Sequence, residues 1–207
     1  MKREAPKAHK NEAAGTQSKI TEVSADPQRV YQIIDNLSVF EARAVLRTLA
    51  ENDVDLAQRI AEMTLTSLTG EDMEAVAAAL YDELDALEVE EVWDGAGRTR
   101  HGYVETHEVA EQMIEAVLAP YLEELSRYQA LDLNLEADEM CKGLLLGLYQ
   151  FEHESKSQFK DWATDLPLDF AHEVLAAWRK GTVGEAEAAE VSGFIQEELP
   201  RWSVSLK

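Results

Sequence analysis

Hydrophobic residues recur at the spacing of amphipathic helices from Pro27 to the end of the chain. The first apolar stripe consists of Val30, Ile33, Ile34 and Leu37. Ser38 and Glu41 then form the S-x-x-E pattern of a capping box, which marks the start of a second helix. No segment alternates apolar and polar residues for long enough to predict a strand. The pattern predicts an all-α protein of about eight helices with no sheet.

Short turns join the predicted helices, which favours antiparallel helical hairpins stacked on one another, as in HEAT or TPR proteins. One helix is expected at the centre of this stack. Between Leu144 and Phe151 it carries apolar residues on every side, which indicates burial by all of its neighbours. Gly143 and Gly147 on the same helix form a G-x-x-x-G pattern, which predicts a closely packed helix against that face.

The N-terminal residues differ in composition from the rest of the chain. Residues 1–26 are polar and hold almost no large apolar side chain, so they cannot bury enough surface to offset the loss of chain entropy. We therefore expect a flexible N-terminal tail over residues 1–26. A single all-helical domain is expected over residues 27–207.

Net charge restricts the possible binding partners more than any motif does. The chain has 207 residues, of which 45% are hydrophobic, so it is long enough to bury a core. It carries 19 Lys and Arg against 41 Asp and Glu, a formal net charge of −22. Because nucleic-acid binding needs clustered cations, we expect no direct binding to nucleic acid. A basic protein, or a basic segment of one, is the natural complement.

The number of cysteines and the lack of long apolar runs indicate the cellular compartment. Cys141 is the single cysteine, which excludes an internal disulfide and a Cys-rich zinc site. The longest strongly apolar run, Leu144 to Phe151, is too short for a membrane span, and the N-terminus lacks an apolar run of signal-peptide length. A cytoplasmic protein without membrane contact is the expectation.

One predicted helix combines an apolar stripe with a carboxylate-rich face. It is expected to run from Glu71 to Asp94, within a stretch from Ile60 to Gly97 that holds eleven acidic residues and no basic one. The candidate partner-binding residues on this acidic face are Glu71, Glu74, Asp82 and Asp85.

A glycine-rich stretch after that helix is a second candidate site. Its residues are Trp93, Gly95, Gly97, Arg98, Arg100, His101, Gly102 and Tyr103. Glycines let backbone amides approach an anion, but a nucleotide-binding fingerprint needs a preceding strand, whereas here a helix precedes. In the alternative interpretation this is a structural connection: Trp93 and Tyr103 fill the core, and the two arginines pair with carboxylates of the acidic helix.

The remaining chemistry-bearing residues predict neither a metal site nor a cofactor site. The five histidines show no H-E-x-x-H pattern and no pair of Glu-x-x-His motifs of the kind that di-iron bundles need. Cys141 lies on the predicted central helix, where a buried, inert thiol is expected. No complete catalytic constellation is present in the sequence.

Two segments resemble a known family. The first comprises Ile34-Asp-Asn-Leu-Ser-Val-Phe-Glu-Ala-Arg-Ala-Val-Leu and Asp53-Val-Asp-Leu-Ala; the second runs from Glu90 through the glycine-rich stretch to Gly143-Leu-Leu-Leu-Gly-Leu-Tyr. Over residues 30–155 the chain resembles the all-helical region that accompanies SWIM zinc-finger modules in uncharacterised bacterial and archaeal proteins. The zinc motif of those modules, Cys-x-Cys followed by Cys-x-His, is absent here. The resemblance therefore implies a helical module, and neither zinc nor DNA binding carries over.

These observations favour a non-enzymatic, acidic helical interaction module. Two alternatives stay open: a hydrolase or small-ligand-binding protein that uses the Gly95–Tyr103 loop, and an acidic mimic of nucleic acid. The positions of Arg98 and Arg100 discriminate between the interaction module and the loop enzyme. A module would engage the two arginines with its own carboxylates, whereas an enzyme would direct them into a concave pocket.

Overall fold

The computed structural model describes residues 27–68, 72–100, 102–181 and 183–206. The predicted flexible tail lies outside the described residues, and so do Glu71 and His101 of the candidate sites. The sequence predicts one domain over residues 27–207. In the structure the chain divides into two compact units, one up to Thr64 and one from Leu65 onwards.

Nine α-helices lie within the described ranges. They are α1 (Pro27–Asp35), α2 (Val39–Asn52), α3 (Val54–Leu68), α4 (Met73–Asp85), α5 (Val89–Gly95), α6 (Thr106–Ala130), α7 (Asn134–Glu154), α8 (Leu166–Trp178) and α9 (Glu185–Glu198). A 3-10 helix spans Gln158–Trp162, and two strands, β1 (Gly97–Thr99) and β2 (Gly102–Val104), pair with each other. The predicted all-α class with stacked helices is confirmed. None of the described helices combines the length and the apolar character needed to cross a bilayer.

The first unit contains α1, α2 and most of α3. The predicted capping box is confirmed: the Glu41 backbone N–H donates to the Ser38 hydroxyl oxygen at 3.3 Å, and the Ser38 backbone N–H donates to the Glu41 carboxylate at 2.9 Å. Asp53 accepts in the same way from the Leu56 backbone N–H at 3.0 Å. None of the described side chains in these three helices is buried.

The second unit is built around α7, which packs against α4, α6, α8 and α9. The prediction of a central helix is therefore confirmed. Its fully buried residues include Leu144, Leu145, Leu148 and Phe151. The chain after α9 adds Trp202 and Leu206 to the same core.

Two glycines of α7 allow α4 to approach closely. A Cβ atom built on Gly143 would lie 2.7 Å from the Cβ of Val76 and 2.8 Å from the carbonyl oxygen of Met73. A Cβ on Gly147 would lie 2.9 Å from the carbonyl oxygen of Ala77. Because separations under 3 Å are closer than non-bonded carbon atoms tolerate, only glycine fits at either position. The predicted role of G-x-x-x-G in tight helix packing is confirmed.

The predicted long acidic helix from Glu71 to Asp94 is wrong in its length. The chain forms α4 and α5 instead, with a break at residues 86–88. The reason lies in helix geometry, since Val89 follows Leu80 by nine residues and would point to the opposite side of a continuous helix. The break allows Leu80 and Val89 both to be buried, at 0% and 5% exposure.

Strands β1 and β2 form a small antiparallel hairpin that the sequence pattern did not predict. Gly97 pairs with Val104, Arg98 with Tyr103 and Thr99 with Gly102. Two of its glycines have positive backbone angles, with φ of 110° at Gly97 and 139° at Gly102. These angles favour glycine. Three-residue strands are too short to show an alternating pattern, which explains why the expectation of no sheet missed this hairpin.

Candidate functional site

The glycine-rich loop lies at the surface. Trp93 is 52% exposed and Tyr103 is 68% exposed, so the interpretation in which these two side chains fill the core is wrong. Arg98 lies directly opposite Tyr103 across the hairpin. Gly95, at the end of α5, packs against α6, because a Cβ there would lie 2.8 Å from Cγ1 of Val109.

Among the described residues, the two arginines of the loop neither pair with the acidic helix nor lie in a concave pocket. Arg98 and Arg100 are both exposed. Neither forms an ion pair with a carboxylate of the described residues, which contradicts the expected pairing with the acidic helix. Neither lines any of the three cavities described in this structure. The use of this loop as a ligand site stays a prediction, with the arginines placed on an exposed hairpin.

The predicted acidic residues that the structure describes share the solvent side of α4. Glu74, Asp82 and Asp85 are exposed. They nevertheless have different surroundings, because the Ser155 hydroxyl donates to Asp85 at 2.5 Å, while Glu74 lies at the edge of a groove. Asp85 therefore has a structural role, and Glu74 is the predicted residue that the fold places beside a concavity.

That concavity, which we call the acidic groove, lies between α4, α7 and α9 and has a volume of about 640 Å³. Its apolar lining comes from Met73, Leu146 and Phe194. Five carboxylates surround this apolar surface: Glu74, Glu139, Glu190, Glu197 and Glu198. Each of the three helices contributes at least one carboxylate, so the site depends on the packing of the second unit.

One cation lies among these carboxylates. Lys142 is buried on α7, where its ammonium group contacts Glu139 on the same helix and Glu190 on α9, the latter at 2.9 Å. Burial disfavours the charged ammonium, but the hydrogen bonds to the two carboxylates outweigh it and raise the pKa of Lys142 above its usual value. The lysine therefore stays charged, and its contact with Glu190 joins α7 to α9.

A second groove lies between α6 and α8 and has a volume of about 450 Å³. Its lining is mainly apolar, with three carboxylates from Glu115, Glu123 and Glu173 and no lysine. It is smaller and carries fewer charges, so the acidic groove is the stronger candidate for recognition of a charged partner.

The sequence pointed to only part of the acidic groove. Glu74 was predicted, but the glutamates of α7 and α9 were not. Glu139 and Lys142 are three residues apart on one helix, a spacing at which side chains meet, so their pairing is readable from the sequence. Glu190 is 48 residues from Lys142 along the chain. Nothing in the local pattern indicates that contact.

The second unit also buries a thiol and a carboxyl group, which contribute to packing. Cys141 is fully buried, as predicted, and this burial raises the pKa of its thiol. The Trp178 indole N–H donates to Oδ1 of buried Asp138 at 2.7 Å. Burial raises the pKa of Asp138, and the hydrogen bond from Trp178 opposes that rise. Among the described residues no group of three or more His, Cys, Asp and Glu side chains is placed to hold a metal ion.

Comparison with family models, with curated proteins and with solved structures gives no match for this chain. The resemblance to the helical region of SWIM-containing proteins stays a prediction.

Proposed function

We propose that this protein is a non-enzymatic helical interaction module that binds a basic segment of another protein in the acidic groove. The observation that carries the proposal is the arrangement of five carboxylates from three helices around an apolar surface. With Lys142 counted, the titratable groups that line the groove have a formal charge of −4.

The groove chemistry defines the kind of segment that fits. Met73, Leu146 and Phe194 offer apolar contact, so the segment needs at least one large apolar side chain as an anchor. The five carboxylates that line the same groove favour a segment in which lysine or arginine lies close to that anchor. An amphipathic basic helix satisfies both demands, and a groove between helices is a common binding site for such a helix.

The second unit strengthens this electrostatic preference. Residues 65–207 hold 31 acidic and ten basic residues, a net charge of −21. A field of this sign accelerates the approach of a cationic partner and repels nucleic acid. The rate of association should therefore fall as salt rises, because the screening length is about 10 Å at 0.1 M salt.

The test uses a fluorescent amphipathic peptide of leucine and lysine as the probe. Its affinity is measured by anisotropy for the wild-type chain and for two variants with equal loss of charge. One variant, Glu197→Gln with Glu198→Gln, removes two exposed carboxylates from the groove. The control, Glu90→Gln with Glu91→Gln, removes two exposed carboxylates from α5.

The groove variant should bind about fivefold to tenfold more weakly than the control, which corresponds to about 1 kcal/mol. Equal affinities would show that the peptide senses only the net charge of the protein, and the proposed site would then be wrong. Binding of a scrambled peptide of the same composition with equal affinity would contradict the role of the apolar surface.

A further inference from the structure

Gly193 lies in the middle of α9, where glycine is a poor helix former because it loses more backbone freedom on folding than any other residue. The two glycines of α7, Gly143 and Gly147, have a packing role that offsets this cost, since a Cβ atom at either position would overlap α4. A Cβ atom on Gly193 would meet no heavy atom of the described residues within 4 Å. Packing within the described chain therefore does not explain why a glycine stands at position 193.

Gly193 forms part of the wall of the acidic groove. The residues that α9 contributes to this wall are Glu190, Gly193, Phe194, Glu197 and Glu198. Their spacings of three and four residues place them on one face of the helix. Gly193 lies about one turn after Glu190 and about one turn before Glu197. The glycine therefore leaves a gap in a row of side chains, with a carboxylate on each side and Phe194 next to it.

The apolar surface beside this gap is held in place by the core. Phe194 and Leu146 are partly buried and pack against the hydrophobic core of the second unit. Met73, the first residue of α4, lines the same groove. Aromatic rings pair favourably with the ring of a phenylalanine and with the sulfur of a methionine. This surface therefore favours an aromatic anchor over an aliphatic one.

The direction of a side chain at position 193 follows from the same geometry. Residue 193 lines the groove, and its Cβ atom would meet open space instead of neighbouring residues. A methyl group there would narrow the groove, and a leucine side chain would fill the gap between Glu190 and Glu197. The size of residue 193 therefore controls how large an anchor the groove admits.

We propose that Gly193 determines the specificity of the acidic groove, because the gap at this residue admits a bulky aromatic side chain from the bound segment. The inference rests on the proposed function and narrows the class of partner to basic segments that carry tryptophan, phenylalanine or tyrosine as the anchor. The aromatic ring packs over Gly193 and against Phe194. The lysines or arginines of the segment then lie near the carboxylates that line the groove.

The test uses three fluorescent helical peptides of alanine and lysine that differ only at one central anchor position, which is alanine, leucine or tryptophan. Anisotropy measures their affinities for the full chain. The wild type should bind the tryptophan peptide about tenfold more tightly than the alanine peptide, with the leucine peptide between them. Gly193→Leu should reduce this ratio to about twofold or less, and Gly193→Ala should give an intermediate ratio, because each fills part of the gap.

Ser192→Leu is the matched control. Ser192 precedes the glycine on α9, is exposed and is not part of the groove lining, so the same leucine side chain is added outside the gap. This variant should keep the wild-type ratio. Alanine and leucine are both better helix formers than glycine, so the Gly193 variants should unfold at the wild-type temperature or above it. Thermal denaturation checks that each variant is folded.

The groove variant Glu197→Gln with Glu198→Gln separates failure of this inference from failure of the proposed function. If it binds the three peptides as tightly as the control Glu90→Gln with Glu91→Gln, the proposed function fails and the inference fails with it. If it binds them more weakly but Gly193→Leu retains the wild-type preference for tryptophan, the inference alone is overturned. Equal affinity of the wild type for the three peptides, or an equal loss of preference in Ser192→Leu, overturns it as well.

Discussion

Gly143 on α7 lies directly against Val76 on α4, so closely that a Cβ on the glycine would be 2.7 Å from the Cβ of the valine. This contact determines how near α4 and α7 can come. The same two helices form two walls of the acidic groove. Packing at the glycines and the geometry of the groove are therefore linked.

Substitution of these glycines should destabilise the second unit. Gly143→Ala introduces a methyl group against Val76 and the Met73 carbonyl oxygen, and overpacking of this kind costs about 1–3 kcal/mol. Gly147→Leu should cost at least about 2 kcal/mol, since the added side chain meets the Ala77 carbonyl oxygen. Urea denaturation followed by circular dichroism measures both free energies of unfolding.

Gly193 on α9 is the matched control. A Cβ there would meet no atom within 4 Å, so Gly193→Ala should stabilise the helix by about 0.5–1 kcal/mol. If Gly143→Ala behaves like Gly193→Ala, α4 and α7 are not in close contact, and the packing described here is wrong.

The pH dependence of stability should carry a contribution from Asp138. Its pKa in the folded protein is raised, chiefly by burial, above the usual 3.8. At pH values between the pKa of the unfolded state and the raised pKa of the folded state, the folded state binds more protons. The contribution of Asp138 to stability therefore falls as pH rises through this range. Asp138→Asn retains an oxygen that can accept the hydrogen bond from Trp178, but its side chain has no carboxyl group to titrate.

The free energy of unfolding of Asp138→Asn, relative to wild type, should therefore increase from about pH 4 to about pH 7. Chemical denaturation at several pH values measures this difference. A difference that is constant with pH, or that falls, would show that the carboxyl group of Asp138 titrates normally.

Local signals in the sequence were enough to predict most of the helical structure. The capping box at Ser38 and the close packing at Gly143 each depend on residues within one turn of helix or on the absence of a side chain. Such features are readable because their partners are near in sequence or their chemistry is specific.

Other features that depend on tertiary packing were not predicted. The break between α4 and α5 follows from the need to bury Val89, and Trp93 is exposed because α5 buries Val89 and Val92 instead. The contact of Lys142 with Glu190 joins helices that are far apart in sequence. Apolar periodicity does not encode any of these relationships.

Asp85 and Asp82 on α4 should respond differently to substitution. Ser155 is 3% exposed and donates its hydroxyl to Asp85, so Asp85→Ala leaves a buried donor without that partner and should cost about 1–3 kcal/mol. Asp82→Ala removes an exposed carboxylate and should change stability by less than about 0.5 kcal/mol. Equal effects in thermal denaturation would contradict a structural role for Asp85.

Removal of the cation from the acidic groove should strengthen binding of a basic peptide. Lys142→Met keeps the apolar stem and leaves Glu139 and Glu190 without their shared ammonium group. The leucine-lysine peptide should then bind more tightly at low salt, with a steeper loss of affinity as salt rises. Weaker binding by a variant that is still folded would show that Lys142 does not compete with the peptide for these carboxylates.

The site of binding is tested most directly by NMR titration of the ¹⁵N-labelled chain with the same peptide. The account predicts that the amide signals that shift most belong to α4, α7 and α9, including that of Gly193 in the groove wall. Shifts concentrated on the hairpin around Arg98 and Tyr103, or spread evenly over the exposed carboxylates, would contradict the proposal that the acidic groove is the binding site.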